Sequence, residues 1–255
     1  MIVARSIREL DLPRHGIVGL VPTMGALHAG HAALFEAARP ACDVLVASVF
    51  VNPTQFSEPA DLTAYPRDLD RDAAFAAAYG VDVIFAPPTE EMYPENFATW
   101  VEPSGAAEGL ESVHRPGHFR GVATVCLKLF NIVRPQVVWF GQKDAQQVAV
   151  VKQLVRDLNV PLEVRVVETA RDDDGLALSS RNSRLTTSER ELARAIPRAL
   201  ETLDPVAART VLEAAGLEPD YVEVANFDGP TLVVAASIGS TRLIDNMPLP
   251  KGASS

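Results

Sequence analysis

The apolar run Gly16–Val21 leads directly into Val21-Pro-Thr-Met-Gly-Ala-Leu-His-Ala-Gly-His31, and an Ala- and Leu-rich segment continues to Ala38. A short β-run, a tight turn with two glycines and then a helix is the arrangement with which α/β proteins bind phosphates. Unpaired N–H groups and the positive end of the helix dipole face the ligand there. The pattern therefore points to an α/β fold with a site at this turn. Pro22, Gly25 and Gly30 suit close backbone approach. His28 and His31, three residues apart, fall on one side of the first helical turn, where both imidazoles can donate to a triphosphate as its charge builds up. Zinc fits less well, because it needs a four-residue helical spacing and a third ligand.

The rest of the chain keeps the same texture. Gly16–Val21, Val44–Val51, Val81–Ala86, Val137–Phe140 and Leu162–Val167 read as strands. Between them Gly30–Ala38, Arg67–Tyr79, Val122–Val133 and Ala145–Leu158 read as helices. This alternation predicts a Rossmann-like, doubly wound parallel sheet, whose ligands sit at the carboxyl ends of the strands. The unusual polar clusters fall at those ends: residues 23–31, 52–55, 141–144 and 169–181. After Arg171 the texture changes to Asp-Asp-Asp-Gly. A helix opened by Ser188-x-x-Glu191 as a capping box follows, then a Pro- and Gly-rich linker around Asp204 to Pro219, then short strands at Tyr221–Val224 and Leu232–Ala235. The expected organisation is a nucleotide-binding domain over 1–169 and a smaller α+β lid domain over 170–255.

Composition narrows the function classes. At 255 residues and 47% hydrophobic, the chain can bury a full core. No apolar run approaches the roughly 20 residues of a membrane span, and the N-terminus lacks a basic-then-apolar secretory pattern, so a cytoplasmic protein is expected. Lys and Arg total 23 against 33 for Asp and Glu, a net charge of −10, which argues against a nucleic-acid partner. Cys42 and Cys126 lie in apolar segments, away from metal-ligand spacings, and read as reduced core residues.

Four further clusters carry chemistry. In Ser48-Val-Phe-Val-Asn-Pro-Thr-Gln-Phe56 a strand runs into an Asn-Pro turn, and the neutral carboxamides of Asn52 and Gln55 can orient hydroxyl and carboxylate oxygens. Trp139-Phe-Gly-Gln-Lys-Asp-Ala-Gln-Gln147 puts Lys143, a flexible cation that can follow phosphate charge, at a strand end with Asp144 beside it. Asp174-Gly-Leu-Ala-Leu-Ser-Ser-Arg-Asn182 places two hydroxyls and a guanidinium on a Gly-flanked loop. Tyr65-Pro-Arg-Asp-Leu-Asp-Arg-Asp72 opens a helix with acids, which suit the helix N-terminus.

Together with His114-Arg-Pro-Gly-His-Phe-Arg-Gly-Val122, these segments occur in an order and wording that resemble the pantothenate synthetase (pantoate–β-alanine ligase) family. That family belongs to the H-x-G-H nucleotidyl-transferring superfamily, which includes the class I aminoacyl-tRNA synthetases. The resemblance implies an ATP-dependent ligase that condenses pantoate with β-alanine through a pantoyl adenylate and releases AMP and pyrophosphate. It implies an ATP site at Met24, Gly25, Ala26, Leu27, His28, Ala29, Gly30 and His31, continued by Gly141, Gln142, Lys143 and Asp144. Ala170, Leu178, Ser179, Ser180 and Arg181 complete it, the last three as the counterpart of the K-M-S-K-S loop. His28, His31, Lys143 and Arg181 are the implied catalytic groups. Asn52, Gln55, His118 and Gln147 are the implied substrate contacts. Asp72 is the remaining acid where some relatives hold magnesium, Arg71 standing at a neighbouring position. ATP with Mg2+ as substrate, no tightly bound cofactor and a homodimer are also implied. The alternative from the H-x-G-H turn alone is a nucleotidyltransferase acting on another small acid or phosphate.

Overall fold

The computed structural model describes residues 1–13 and 15–250. They form two compact units, one of Met1–Phe140 with Gln146–Val167, the other of Gly141–Ala145 with the residues from Glu168 onward.

The first unit is built on strands β1 (Ile2–Ala4), β2 (Val18–Thr23), β3 (Val44–Val49), β4 (Val83–Phe85), β5 (Val137–Gly141) and β6 (Glu163–Val167). Their order is β1-β4-β3-β2-β5-β6. The pairs β1–β4, β4–β3, β3–β2 and β2–β5 are all parallel. The helices are α1 (Ala29–Ala38), α2 (Pro59–Ala64), α3 (Leu69–Ala78), α4 (Thr89–Met92), α5 (Glu111–His114), α6 (His118–Val133) and α7 (Ala145–Asp157). Successive strand residues feed opposite faces, as the pleat requires. Leu20, Val46, Phe85 and Val138 join Val122, Leu129, Phe130, Val151 and Leu154 in one core. Val21, Leu45, Ile84 and Trp139 pack with Phe35, Ala38 and Ala76 in another. The continuous apolar strands are thus the two-faced centre of a doubly wound sheet.

The second unit carries α8 (Thr187–Ala193), α9 (Ala195–Leu200), α10 (Pro205–Ala214), β7 (Pro219–Asn226), β8 (Pro230–Ile238) and β9 (Thr241–Pro248). The three strands form an antiparallel sheet in the order β7-β8-β9. Leu232, Val234, Ile196, Leu200 and Leu212 lie at its core.

Several local readings need correction. The capping box of α8 is made by Thr186 and Glu189, two residues before the Ser188–Glu191 pair. The region around Asp204 to Pro219 is mostly the helix α10: Asp204 Oδ1 accepts from the N–H groups of Val206 and Ala207 at 3.0 and 2.8 Å, and Pro205 occupies the first turn, where it opens a helix. Helix α6 begins at His118, not Val122, directly after Gly117 with φ +78°. Strand β3 ends at Val49, and α3 begins at Leu69 after its cap Asp68. Strands β1 and β9 complete the two sheets and have no counterpart in the sequence reading.

Candidate active site

Strand β2 ends at Thr23, and the chain turns through Gly25 (φ +81°) and Ala26 (φ +53°) into α1. The buried Asp72 carboxylate of α3 holds this turn, accepting from Ala26 N–H at 2.9 Å and Leu27 N–H at 2.8 Å. A Cβ at position 25 would lie 2.7 Å from Asp72 Oδ2, so only glycine allows the carboxylate this close. Both oxygens of Asp72, expected as a magnesium ligand, serve the turn. Among the described residues no group of three or more His, Cys, Asp and Glu could hold a metal ion.

His28 is the N-cap of α1 and His31 its third residue. His28 Nδ1 accepts from Gly30 N–H at 3.1 Å, and His31 Nδ1 accepts from His28 N–H at 3.2 Å. The rings lie 4.2 Å apart. This is a capping box in which imidazoles replace the usual Ser and Glu. An Nδ1 that accepts places the proton of a neutral ring on Nε2. The amides of Ala26, Leu27, His28 and Gly30, expected to face a ligand, thus all donate within the protein.

The carboxyl end of β3 passes into the turn Pro53–Gln55. Asn52 and Gln55 are both buried. Asn52 Nδ2 donates to Gln55 Oε1 at 3.0 Å and to Gly121 O at 3.2 Å, and Gln55 Nε2 lies 3.0 Å from Met24 Sδ. Helix α6 presses on this turn. A Cβ on Gly121 would come within 2.5 Å of Thr54 O. His118 Nδ1 is 2.9 Å from Gln55 O and its Nε2 is 3.3 Å from Arg115 Nη1. A carbonyl can only accept and a guanidinium can only donate, so His118 carries its proton on Nδ1 and faces protein atoms with both nitrogens. His118, expected as a substrate contact, meets the backbone of Gln55 with its Nδ1. Gln147 lies half-buried in α7 beside Gln146, whose Nε2 donates to the carbonyls of Ala106 and Glu108 at 3.2 Å. A cleft of about 310 Å3 opens at the ends of β3 and β4, lined by Met24, Phe50, Pro53, Arg67, Asp72 and Pro88 among others.

In the second unit, Leu178 N–H donates to Ala170 O at 2.9 Å and Arg171 bridges Ala177, closing a hairpin about Gly175 (φ +83°). Ser179 caps the short helix Ser180–Arg184, its Oγ accepting from Arg181 N–H at 3.2 Å. Arg190 donates to Asp174 at 2.9 Å and to Asp172, and its hydrogen bond holds the Asp172 carboxyl below the ordinary range. Lys143 Nζ lies 3.7 Å from Asp144 Oδ1. Asn246 of β9 holds this segment, donating from Nδ2 to the carbonyls of Gln142 and Lys143, both at 2.9 Å. The neighbouring Asp245, side chain 2% exposed, takes Arg171 in a two-bond ion pair at 2.7 and 3.1 Å. Consecutive β9 residues therefore anchor the hairpin and the lysine segment. Sequence reasoning missed Asp245, Asn246 and Tyr93, because an Asp-Asn pair and a lone tyrosine announce no role without their partners.

The sequence model of the family described as pantoate-beta-alanine ligase matches residues 3–248. A pantothenate synthetase from Chloroflexus aurantiacus is 50% identical over 256 residues, covering 90% of this chain and 91% of the relative. The crystal structure of pantothenate synthetase from Thermus thermophilus superposes with a TM-score of 0.93 at 44% identity, covering 98% of this chain and 100% of that one. That of the Francisella tularensis pantoate-beta-alanine ligase, complexed with beta-gamma ATP and beta-alanine, gives a TM-score of 0.89 at 38% identity, with both chains fully covered. Agreement at this identity, over both units and with the turn, carboxamides, lysine segment and hairpin in place, means that the chain belongs to the pantoate–β-alanine ligase family.

Proposed function

We propose that the protein joins pantoate to β-alanine in two steps at the expense of ATP. In the first, a pantoate carboxylate oxygen attacks the α-phosphorus of ATP, the bond to the β-phosphate breaks, and pyrophosphate leaves. In the second, the β-alanine amine attacks the acyl carbon of the pantoyl adenylate, the bond to the phosphate oxygen breaks, AMP leaves, and the amine gives up a proton. Mg2+ enters as the counter-ion of ATP.

The Nε2–H groups of His28 and His31, the Lys143 ammonium, the Ser179 and Ser180 hydroxyls and the Arg181 guanidinium offset phosphate charge as it shifts toward pyrophosphate. Gln55 and Gln147 hold pantoate. The amine step draws mainly on positioning and on the exclusion of water from the mixed anhydride. A homodimer working in the cytoplasm completes the reading. No helix among the described residues is long and apolar enough to cross a membrane.

The observation that carries the pantoate assignment is the buried Gln55 amide, whose NH2 end lies beside the Met24 thioether, where an oxygen of the acid can take its place. The family match removes the reason to prefer a nucleotidyltransferase that stops at the activated product. Incubation with ATP, pantoate and β-alanine, with products identified by mass, tests the reading. Pyrophosphate should form with pantoate alone and AMP should follow only when the amine is added. AMP release that ignores the amine would refute the second step.

A further inference from the structure

Gln55 can meet a substrate with its carbonyl or with its NH2, and its neighbours decide which. Asn52 Oδ1 lies among donors: the Tyr93 hydroxyl at 2.9 Å, the Thr54 hydroxyl at 2.9 Å and the Thr54 N–H at 3.4 Å. Asn52 Nδ2 faces the Gly121 carbonyl, which can only accept. The Thr54 N–H, at 3.4 Å, and the Gly121 carbonyl settle which end of the Asn52 amide is the oxygen, and the shorter bonds from the Tyr93 and Thr54 hydroxyls hold it in that place. Its NH2 then donates to Gln55 Oε1, which turns the carbonyl end of Gln55 toward Asn52. The Gln55 NH2 is left against the Met24 thioether, a weak acceptor that a better one can displace.

We propose that Tyr93, Asn52 and Gln55 form a directed relay that turns the NH2 end of Gln55 to the substrate, so that this subsite accepts a carboxylate or hydroxyl oxygen and disfavours an N–H group in its place, with Tyr93 as the positioning residue. The proposal rests on the pantoate reading of Gln55. It adds a residue that touches no substrate and yet sets which chemistry the subsite takes. Asn52 is 1% exposed, so it too acts through Gln55.

The surroundings of Tyr93 suit a fixed donor. Its ring is held edge-on by Phe97 at 5.1 Å and stacked on Trp100 at 6.1 Å, with Phe50 at 6.2 Å. Arg120 sits over the Trp100 ring at 4.3 Å. Burial pushes the Tyr93 phenol above its ordinary value, which keeps its proton in place across the working pH range. Gly121 contributes geometry: without a Cβ, α6 comes close enough for its carbonyl to meet Asn52.

The test uses the full-length protein and steady-state kinetics with pantoate and ATP varied separately. Tyr93→Phe keeps the ring and removes the donor. It should raise the pantoate KM about tenfold, the worth of one buried hydrogen bond, with the ATP KM and the melting temperature nearly unchanged. Thr54→Val should act in the same direction and serves if Tyr93→Phe does not fold; Thr54→Ser, which keeps the hydroxyl, should behave as wild type. An unchanged pantoate KM in Tyr93→Phe and Thr54→Val, while Gln55→Ala raises it, overturns the relay and leaves the ligase reading standing. A pantoate KM indifferent to Gln55→Ala removes the relay and the pantoate assignment together. Equal rises in both KM values with a lower melting temperature would mark Tyr93 as merely structural, and the relay would be wrong.

Discussion

His28 and His31 cap the same turn reciprocally: the Nδ1 of His28 takes the Gly30 amide proton and the Nδ1 of His31 takes that of His28. Each ring thus uses one nitrogen to build α1 and keeps its proton on the other. The two jobs separate by substitution. His31→Asn supplies an oxygen in the place of Nδ1 and nothing in the place of Nε2. It should keep the fold, with a melting temperature within a few degrees of wild type, and slow adenylate formation about a hundredfold, close to 3 kcal/mol in the transition state. Rapid-quench measurement of a single adenylation turnover checks this. His31→Ala should lose a further ~1 kcal/mol of stability with the cap.

Asp72 gives an opposite pattern. Asp72→Ala leaves the amides of Ala26 and Leu27 unpaired in a largely buried turn, at a cost of about 3 kcal/mol in urea unfolding. Asp72→Asn keeps one acceptor and should lose roughly half of that. A metal ligand would behave otherwise: Asp72→Asn would leave stability unchanged and raise the Mg2+ concentration needed for half-maximal activity.

Gly121→Ala tests the contact between α6 and the Gln55 turn. The added methyl meets Thr54 O at 2.5 Å and Gln55 N at 2.8 Å, both backbone atoms, so the helix must retreat. Overpacking should outweigh the better helix propensity of alanine and destabilise the protein by about 1–2 kcal/mol. The pantoate KM should rise while the ATP KM holds, measured by varying each substrate in turn.

Cys126 predicts a pH dependence. Burial pushes its thiol up to about 12 from an ordinary 9.0. A group whose folded value is raised keeps its proton in the folded state after the unfolded chain has lost it, so stability is whole below pH 9 and falls as pH rises toward 12. The slope contributed is about 1.4 kcal/mol per pH unit across that window. Cys126→Ala should have lower stability at neutral pH, and its free energy of unfolding should fall less steeply above pH 9 in parallel chemical denaturations. Equal slopes for the two proteins would mean that Cys126 ionises as readily in the fold as outside it.

The sheet was legible because its central strands are buried on both faces and read as apolar runs such as Val44-Leu-Val-Ala47. The edge strands β1 and β9 carry no such mark. Ile2 in β1 is 60% exposed, and β9 hides behind Arg242, Asp245 and Asn246, whose polar side chains look like a loop until their partners are known. Glycine and proline misled in both directions: Gly121 lies inside a helix for close approach, and Pro205 opens one. The site residues stood out where several unusual types share a short stretch, as in His28 to His31. Their second roles did not. That His118 serves a carbonyl, or that Asp72 serves two amides 45 and 46 residues away in sequence, depends on contacts no local pattern encodes.

The grip of Asn246 on the carbonyls of Gln142 and Lys143 joins positions 104 and 103 apart in sequence. Loop closure on that scale comes late in folding, since its entropy must be met before the contact gives anything back. On the ribosome the lysine segment emerges between β5 and α7 long before β9 exists to hold it. Until then the Gly141–Ala145 stretch, which belongs to the second unit, lacks the bonds from Asn246, and the backbone of Lys143 waits on β9 for its anchor. A chain cut after Val167 but before Asn246 would keep every strand of the six-stranded sheet and lose the two bonds that hold the backbone of Gln142 and Lys143.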